Sequence, residues 1–549
     1  MSNDRRYRVL LVDDERLVRF TISSYLKRSN FEVTEAASPA EAMNFVKRNH
    51  YDAIISDVSM GDVDGFVFRD MVRQFDTGVP VIFLTSMVND YGNYLLEKIS
   101  EDVRSYFVAK GGALEALQFR VRRIISSYEA ERESMKVRRD FDTGLQMASF
   151  VQRSLLPPWV DVNRAFTYGV AWNPLEKVSG DLYEMVQLNE SCALMIFGDV
   201  AGHGIRSALA MAAIQSFLKG FAGMDVRRAE SVHRVARSIH EFINSNLHDI
   251  IYMVGLVVFV DFAARRMRFI NAGMPEIKCA RGTTGELVVL NPDGRGAMPF
   301  GLISDAAYTE DDVVEVSFED DAVFFIATDG ITDSTIDDEG HEFVSDAELS
   351  QLCSIAAQSD YANGTIGQTA ALVMKSLRDI GYSHVHDDCM IFTFCKSVRR
   401  NDRIVHEVEI RPDAIDQMAE VVGMCAGELS GDTELSAKVQ LLLDEFLMNV
   451  YRHGLDDYGR STEYGVVMGM MVGDHFELTV WERGQNWDAL SGMTLEDTQQ
   501  KLDERNQILA DSGRGTSIMR IIAEGGVSHE RIFNVNKTVF RIPVGKGSK

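Results

Sequence analysis

Four short acidic stretches, far apart in a chain of 549 residues, carry the side chains best suited to chemistry. Gly198-Asp199-Val200-Ala201-Gly202-His203-Gly204 follows the apolar run Ala193–Phe197, which reads as a buried strand giving way to a glycine-rich turn. Three other stretches share that setting. They are Gly180-Asp181-Leu182-Tyr183, then Ala327-Thr328-Asp329-Gly330 after the strand Ala322–Ile326, and His386-Asp387-Asp388 before the strand Met390–Cys395. Gathering these carboxylates is costly unless a cation offsets their repulsion. An all-oxygen ligand set suits Mg²⁺ or Mn²⁺, and two such ions can hold a water nucleophile against a phosphoryl group. The pattern predicts a dinuclear metal site for phosphoryl hydrolysis.

A second acidic group lies near the start of the chain. Asp13 and Asp14 follow the apolar run Val9–Val12, Asp57 follows Ala53–Ser56, Thr85 follows Val79–Leu84 and Lys110 follows Tyr106–Ala109. With a weaker strand at Val33–Ala36 and helices at Leu17–Ser29 and Pro39–His50, this alternation predicts a doubly wound parallel sheet over residues 1–125. Ligands of such sheets bind at the C-terminal strand edge, where these five polar residues fall. Three carboxylates, a hydroxyl and a cation make a site for Mg²⁺ and a phosphoryl group.

Those residues resemble the response-regulator receiver domains. The resemblance implies Asp57 as phospho-acceptor, Asp13, Asp14 and Asp57 around Mg²⁺, Lys110 on the phosphate, and Thr85 with Phe107 reorienting on phosphorylation. Gly61 stands where that family usually has proline, and Gly111 follows the lysine where proline is also usual.

Leu114, Leu117, Val121, Ile124 and Tyr128 then recur at helical spacing, followed by the charge-rich stretch Glu129–Asp140. One long linker helix over residues 113–155 is predicted, with a coiled-coil seam that makes a homodimer the favoured expectation over a solvated linker. Pro157-Pro158 stops it.

The segment Ala148-Ser149-Phe150-Val151-Gln152-Arg153-Ser154-Leu155-Leu156-Pro157 resembles the bacterial sporulation-type and stress-type branch of the type 2C serine/threonine phosphatases. The likeness continues through Ser179-Gly180-Asp181, Asn271-Ala272-Gly273, Pro299-Phe300-Gly301, Thr328-Asp329-Gly330 and Asp387-Asp388, spanning residues 145–396. It implies an αββα sandwich, with Asp181, Asp199, Asp329, Asp387 and the Val200 carbonyl as ligands of two Mn²⁺ or Mg²⁺ ions, and Asp388 as a weaker candidate. A degenerate, metal-free pseudophosphatase is the alternative. Met274 replaces the family's usual histidine and Met390 its usual threonine. His203 is either a general acid or a hydrogen-bonding group of the turn, whereas His384 and His386 read as strand-edge residues.

Residues 402–545 start with the alternating strand Val405–Ile410. A helix from about Glu434 to Tyr451 puts Glu445 and Asn449 on one face. Tyr464–Val472 and His475–Trp481 read as a hairpin around Gly473-Asp474. Glu482-Arg483-Gly484 follows, and Gly513-Arg514-Gly515-Thr516 feeds the helix Ser517–Glu524, a phosphate cradle. In this order the motifs resemble the GHKL ATP-binding domains, especially the anti-sigma-factor serine kinases. The resemblance implies an α/β ATP-binding sandwich with Asn449 on Mg²⁺, Glu445 as base, Gly513 and Gly515 near the phosphates of ATP, and Glu482 with Gly484 at the adenine, where the family has aspartate. Asp488 and His453 read as structural. A sensor histidine kinase is set aside, because His406 sits in an alternating strand.

The whole reads as a multidomain α/β and α+β protein. Net charge is −26 and the six cysteines lack metal-ligand spacing. These features, with no membrane-length apolar run and no secretory pattern, predict a cytoplasmic protein that binds neither nucleic acid nor membrane. The resemblances imply a partner-switching regulator controlled at Asp57 by a cognate sensor histidine kinase. Its implied substrate is an anti-sigma-factor antagonist, dephosphorylated by the central region and phosphorylated by the last, and a sigma or anti-sigma factor is a further partner. The alternative makes the C-terminal region a non-catalytic anti-sigma-like binding module or an ATP sensor.

Overall fold

The computed structural model describes residues 6–61, 63–85, 102, 104–110, 112–162, 166–247, 251–291, 296–337, 342–363, 366–397, 402–455, 463–485, 514–524 and 526–544. Two units make up the chain, Met1–Thr143 and Gly144–Lys549.

In the first unit five parallel strands run side by side in the order Phe31–Ala36, Tyr7–Val12, Ala53–Asp57, Val81–Thr85, Ser105–Ala109. This is the doubly wound order with its switch point between the first and third strands of the sequence. Both faces are covered, which is why the strands read as continuous apolar runs. Leu10, Val12, Ile54 and Phe83 pack with Ala42, Met43, Phe68 and Val72 of the helices Pro39–Val46 and Gly65–Arg73. Val9, Leu11, Ile55 and Ile82 pack with Ile22 and Leu26 of Arg16–Arg28 and with Leu117, Val121 and Ile125. The last three belong to one unbroken helix, Leu114–Leu155.

The second unit begins with a sandwich of two antiparallel sheets. One runs Val314–Ser317, Arg266–Ala272, Met253–Asp261, Cys192–Val200, Asp181–Gln187. The other runs Leu287–Val289, Lys278–Arg281, Ala322–Ala327, Cys389–Lys396, Phe166–Asn173, Val160–Val162. Phe197, Val258, Phe324, Ile326 and Phe392 fill the space between them. Their strand neighbours point outward beneath helices. Ile196 and Val257 meet Met211, Ile214, Val235 and Ile239 of Ile205–Leu218 and Val232–Asn246. Val323, Phe325 and Ile391 meet Leu349, Ala357, Val373 and Leu377 of Asp346–Asn363 and Thr369–Ile380. The result is the four-layered αββα arrangement.

A last antiparallel sheet runs Arg403–Glu409, Tyr464–Val472, His475–Glu482, Val535–Pro543, Val527–Ile532. The helices Pro412–Ser430, Thr433–Asn449 and Arg514–Ile522 cover one face through Ile415, Leu442, Phe446 and Met519. On the opposite face Val466, Met468, Trp481 and Val535 pack against Trp159, Val160 and Ala371 of the sandwich. No helix among the described residues is long and apolar enough to cross a membrane.

Candidate active sites

Turns after the strands of the N-terminal sheet bring Asp13, Asp14 and Asp57 together, each offering one ligand oxygen within 4.8 Å of the others. Asp13 and Asp57 are buried and Asp14 is exposed. Lys110 reaches across this group, its Nζ 2.7 Å from Asp57 Oδ2 and 3.0 Å from Asp13 Oδ2. Burial works against the ammonium charge, but hydrogen bonds to Asp57 and Asp13 hold its pKa above the ordinary lysine value. Burial also pushes the Asp13 carboxyl up. Thr85 ends its strand buried, and Phe107 packs its ring 5.3 Å from that of Phe83. Gly61 adopts φ +67°, which a proline at this position could not. Gly111 lies outside the described residues.

In the sandwich, Asp181 opens its strand rather than closing one and stands opposite Asp199 in the ladder. Asp329 starts a short helix after Ala322–Ala327, and Asp387 precedes Cys389–Lys396. A Cβ on Gly180 would stand 2.8 Å from the Val200 carbonyl oxygen and 3.2 Å from Asp199 Oδ1, so glycine lets the backbone close on this group. Gly330 lies equally tight against the Asp388 backbone. Burial, followed by the charges of Asp199 and Asp388, drives the Asp181 carboxyl far above the carboxylate range. Asp199 is pushed up to about 8 by burial and then by Asp329, Asp387 and Asp388. Burial raises Asp329 too, although its side chain remains exposed.

Asp181 Oδ2 accepts from Thr328 Oγ1 at 3.2 Å, while its buried Oδ1 has no hydrogen-bond partner among the described residues. An orphaned buried carboxylate oxygen among mutually repelling carboxylates is what a hard divalent cation satisfies. Among the described residues only Asp13, Asp14 and Asp57 bring three ligand oxygens within 4.8 Å of one another, so the sandwich aspartates have the donor chemistry for such a cation without that spacing.

The family comparisons cover these two regions. Residues 9–122 match the response regulator receiver domain, and residues 189–396 match Stage II sporulation protein E (SpoIIE). A receiver domain is joined to a SpoIIE-type phosphatase domain. The Bacillus subtilis phosphoserine phosphatase RsbP is 25% identical over 193 residues, which are 35% of this chain and 45% of RsbP. The heme response regulator HssR of Staphylococcus saprophyticus is 26% identical over 125 residues, 22% of this chain and 51% of HssR. The chain thus spans about half the length of these two curated relatives. Among solved structures, the RsbU and RsbW domains of Rv1364c from Mycobacterium tuberculosis align over 70% of this chain and 96% of theirs, at 16% identity and a TM-score of 0.37. The SpoIIE match begins after Asp181, which pairs in the ladder with Asp199 inside the matched region.

Three residues that shape this domain's site were not singled out as doing so in the sequence. Asp388 accepts from the Leu175 and Gly180 N–H groups, each at 2.7 Å, which occupies both oxygens and makes it a scaffold for the Asp181 loop. Gln152, near the end of the long helix, donates to Ser179 O at 2.9 Å and Ala208 O at 3.0 Å and accepts from Ser179 N at 3.1 Å. Thr328 is the third, through its bond to Asp181. The only sequence signal for them is adjacency to a motif. His203 is exposed, 3.6 Å from Glu176 Oε1, and His386 Nε2 lies 2.8 Å from Thr335 Oγ1. Met274 is buried in the core, where Asn271 bonds both its N–H and its carbonyl.

In the C-terminal sheet-and-helix region, Glu445 and Asn449 sit half-buried on the helix Thr433–Asn449, and the buried Asn449 Nδ2 has no partner among the described residues. Glu482 is fully buried. Its Oε1 accepts from Asn536 Nδ2 at 2.8 Å and its Oε2 from the Gly484 N–H. Burial pushes its carboxyl up to about 7. Gly515 is the second residue of the helix Arg514–Ile522, while Gly513 and Asp488 lie outside the described residues.

Proposed function

We propose that this chain is a partner-switching response regulator. Its SpoIIE-type domain removes phosphate from a phosphoserine or phosphothreonine of an anti-sigma-factor antagonist, under control of Asp57 phosphorylation by a sensor kinase. The observation that carries this reading is the placement of Asp181 opposite Asp199, with a buried Asp181 oxygen that has no hydrogen-bond partner among the described residues. The phosphoserine specificity in the name of RsbP supports the substrate class.

Asp181, Asp199, Asp329, Asp387 and the Val200 carbonyl would hold two Mn²⁺ or Mg²⁺ ions. When bound, such ions lower the pKa of water toward neutrality and supply a hydroxide nucleophile. Thr328 orients Asp181, and Asp388 and Gln152 fix the loop that presents it. In the receiver, Asp57 takes the phosphoryl group, and Lys110 pairs with it, releasing its present contact with the bare carboxylate.

The C-terminal region is a GHKL-like domain with Asn449 toward Mg²⁺-ATP and Glu445 as base. A second reading, a binding module without kinase activity, is favoured by Glu482, whose two oxygens are spent on Asn536 and Gly484. Incubating the phosphorylated antagonist with the protein and Mn²⁺, and the unphosphorylated antagonist with ATP, tests the two activities separately. Glu445→Ala removes the second only.

A further inference from the structure

The end of the long helix, the two-proline turn after it, the sandwich and the C-terminal sheet meet around a pocket of about 400 Å³. That is within the roughly 300–1,000 Å³ of small-molecule sites. Among its described lining residues, three guanidinium groups, Arg153, Arg483 and Arg531, face one carboxylate, Glu463. In a chain of net charge −26 this is a local reversal of sign.

The two inner arginines are held in place. Arg483 donates from Nη2 to the Val170 carbonyl, and its guanidinium lies 4.7 Å from the Trp159 ring centre. Its buried Nε nevertheless has no hydrogen-bond partner among the described residues. Buried donors are rarely left in that state without a ligand or water to satisfy them. Burial lowers its pKa only to about 10, so the group stays charged. Arg531 is anchored through Nη1 to Gly484 O at 2.8 Å and Asn536 Oδ1 at 2.7 Å. Three aromatic side chains also line the pocket, the half-buried Tyr464 and, at the edge of the sandwich core, Trp172 and Tyr183. Planar guanidinium forks match phosphate oxygens, and aromatic faces stack nucleobases whatever their identity.

The geometry points to a binding site for a nucleoside phosphate, its phosphate engaged by Arg153, Arg483 and Arg531 and its base laid on the aromatic wall. Tyr183 lies two residues beyond Asp181 and Arg483 adjoins Glu482, so the occupant bears on the strands that carry both candidate sites.

The test is calorimetric titration of the full chain carrying Asn449→Ala, in EDTA, which silences the three other phosphate-binding centres proposed above. Adenosine and guanosine 5′-monophosphates are the probes, with inorganic phosphate and adenosine as half-ligand controls. One mononucleotide is expected to bind with unit stoichiometry, and each half-ligand at least about tenfold more weakly. Arg153→Gln, at an exposed position, is expected to weaken it about tenfold with unchanged thermal unfolding, and Arg483→Lys, which keeps charge but loses the fork, is expected to weaken it at least as much. Failure of both mononucleotides to bind at about 1 mM overturns the proposal, as does binding that is unaltered in Arg153→Gln or matched by phosphate alone.

Discussion

Asp388 and Gly180 lie 208 residues apart, yet the carboxylate of the first accepts the N–H of the second at 2.7 Å. The other oxygen accepts from Leu175, so one side chain pins the loop that delivers Asp181. Asp388→Ala leaves the buried Gly180 N–H and the part-buried Leu175 N–H without their acceptor and is expected to cost about 2–3 kcal/mol in urea unfolding. Asp387→Ala is expected to cost about 1 kcal/mol or less while removing phosphatase activity. Equal stability losses in the two variants would contradict this division of roles.

Gln152 makes a comparable clamp from the other side, tying the end of the long helix to Ser179 and Ala208. Gln152→Ala removes three hydrogen bonds and is expected to lower the stability of the second unit by about 2–3 kcal/mol. Gln152→Glu keeps the acceptor but loses the donor, and is expected to recover only part of the loss. Thermal unfolding of the three proteins side by side measures both effects.

In the receiver, the left-handed backbone at Gly61 makes a specific prediction. Gly61→Pro, which installs the residue usual in the family, cannot take φ +67° and is expected to destabilise the receiver by more than about 1 kcal/mol. Asp57→Ala is expected to abolish acid-labile phosphate incorporation from acetyl phosphate while leaving the sheet folded. A raised melting temperature for the proline variant would show that the loop reorganises freely.

Glu482 gives a pH dependence. Its carboxyl is lifted by burial from 4.5 to about 7, so between those values the folded chain keeps a proton that the unfolded chain has released. Stability contributed at this site therefore falls as pH rises from about 4.5 to about 7, by up to about 3 kcal/mol. Glu482→Gln is expected to flatten that decline in urea unfolding of the C-terminal region at pH 5 and pH 8. A slope identical in both proteins would show that the carboxyl ionises freely in the fold.

The sheets were legible because burial on both faces writes itself as unbroken apolar runs. Ala322–Ile326 and Ala193–Phe197 are strands whose alternate residues serve the sandwich core and the helices outside it. The long helix was legible through its periodicity and its proline stop. Contacts across long sequence separations were not. Nothing local marks Asp388 as a scaffold or Gln152 as a clamp, since their partners lie far off in the chain. Glu482 shows the same limit. Its place after a strand resembled an adenine-reading position, but the inward turn of its carboxylate toward Asn536 depends on a strand 54 residues away. The packing of the sandwich against the C-terminal sheet through Trp159 likewise had no local signature.

The most direct test of the account is the initial rate at which the protein releases phosphate from a phosphoserine-bearing antagonist. The account predicts release with Mn²⁺, none with EDTA, and a fall of at least about 100-fold in Asp199→Asn and Asp329→Asn, whose folds persist. Release at the wild-type rate in either variant, or in EDTA, would contradict it.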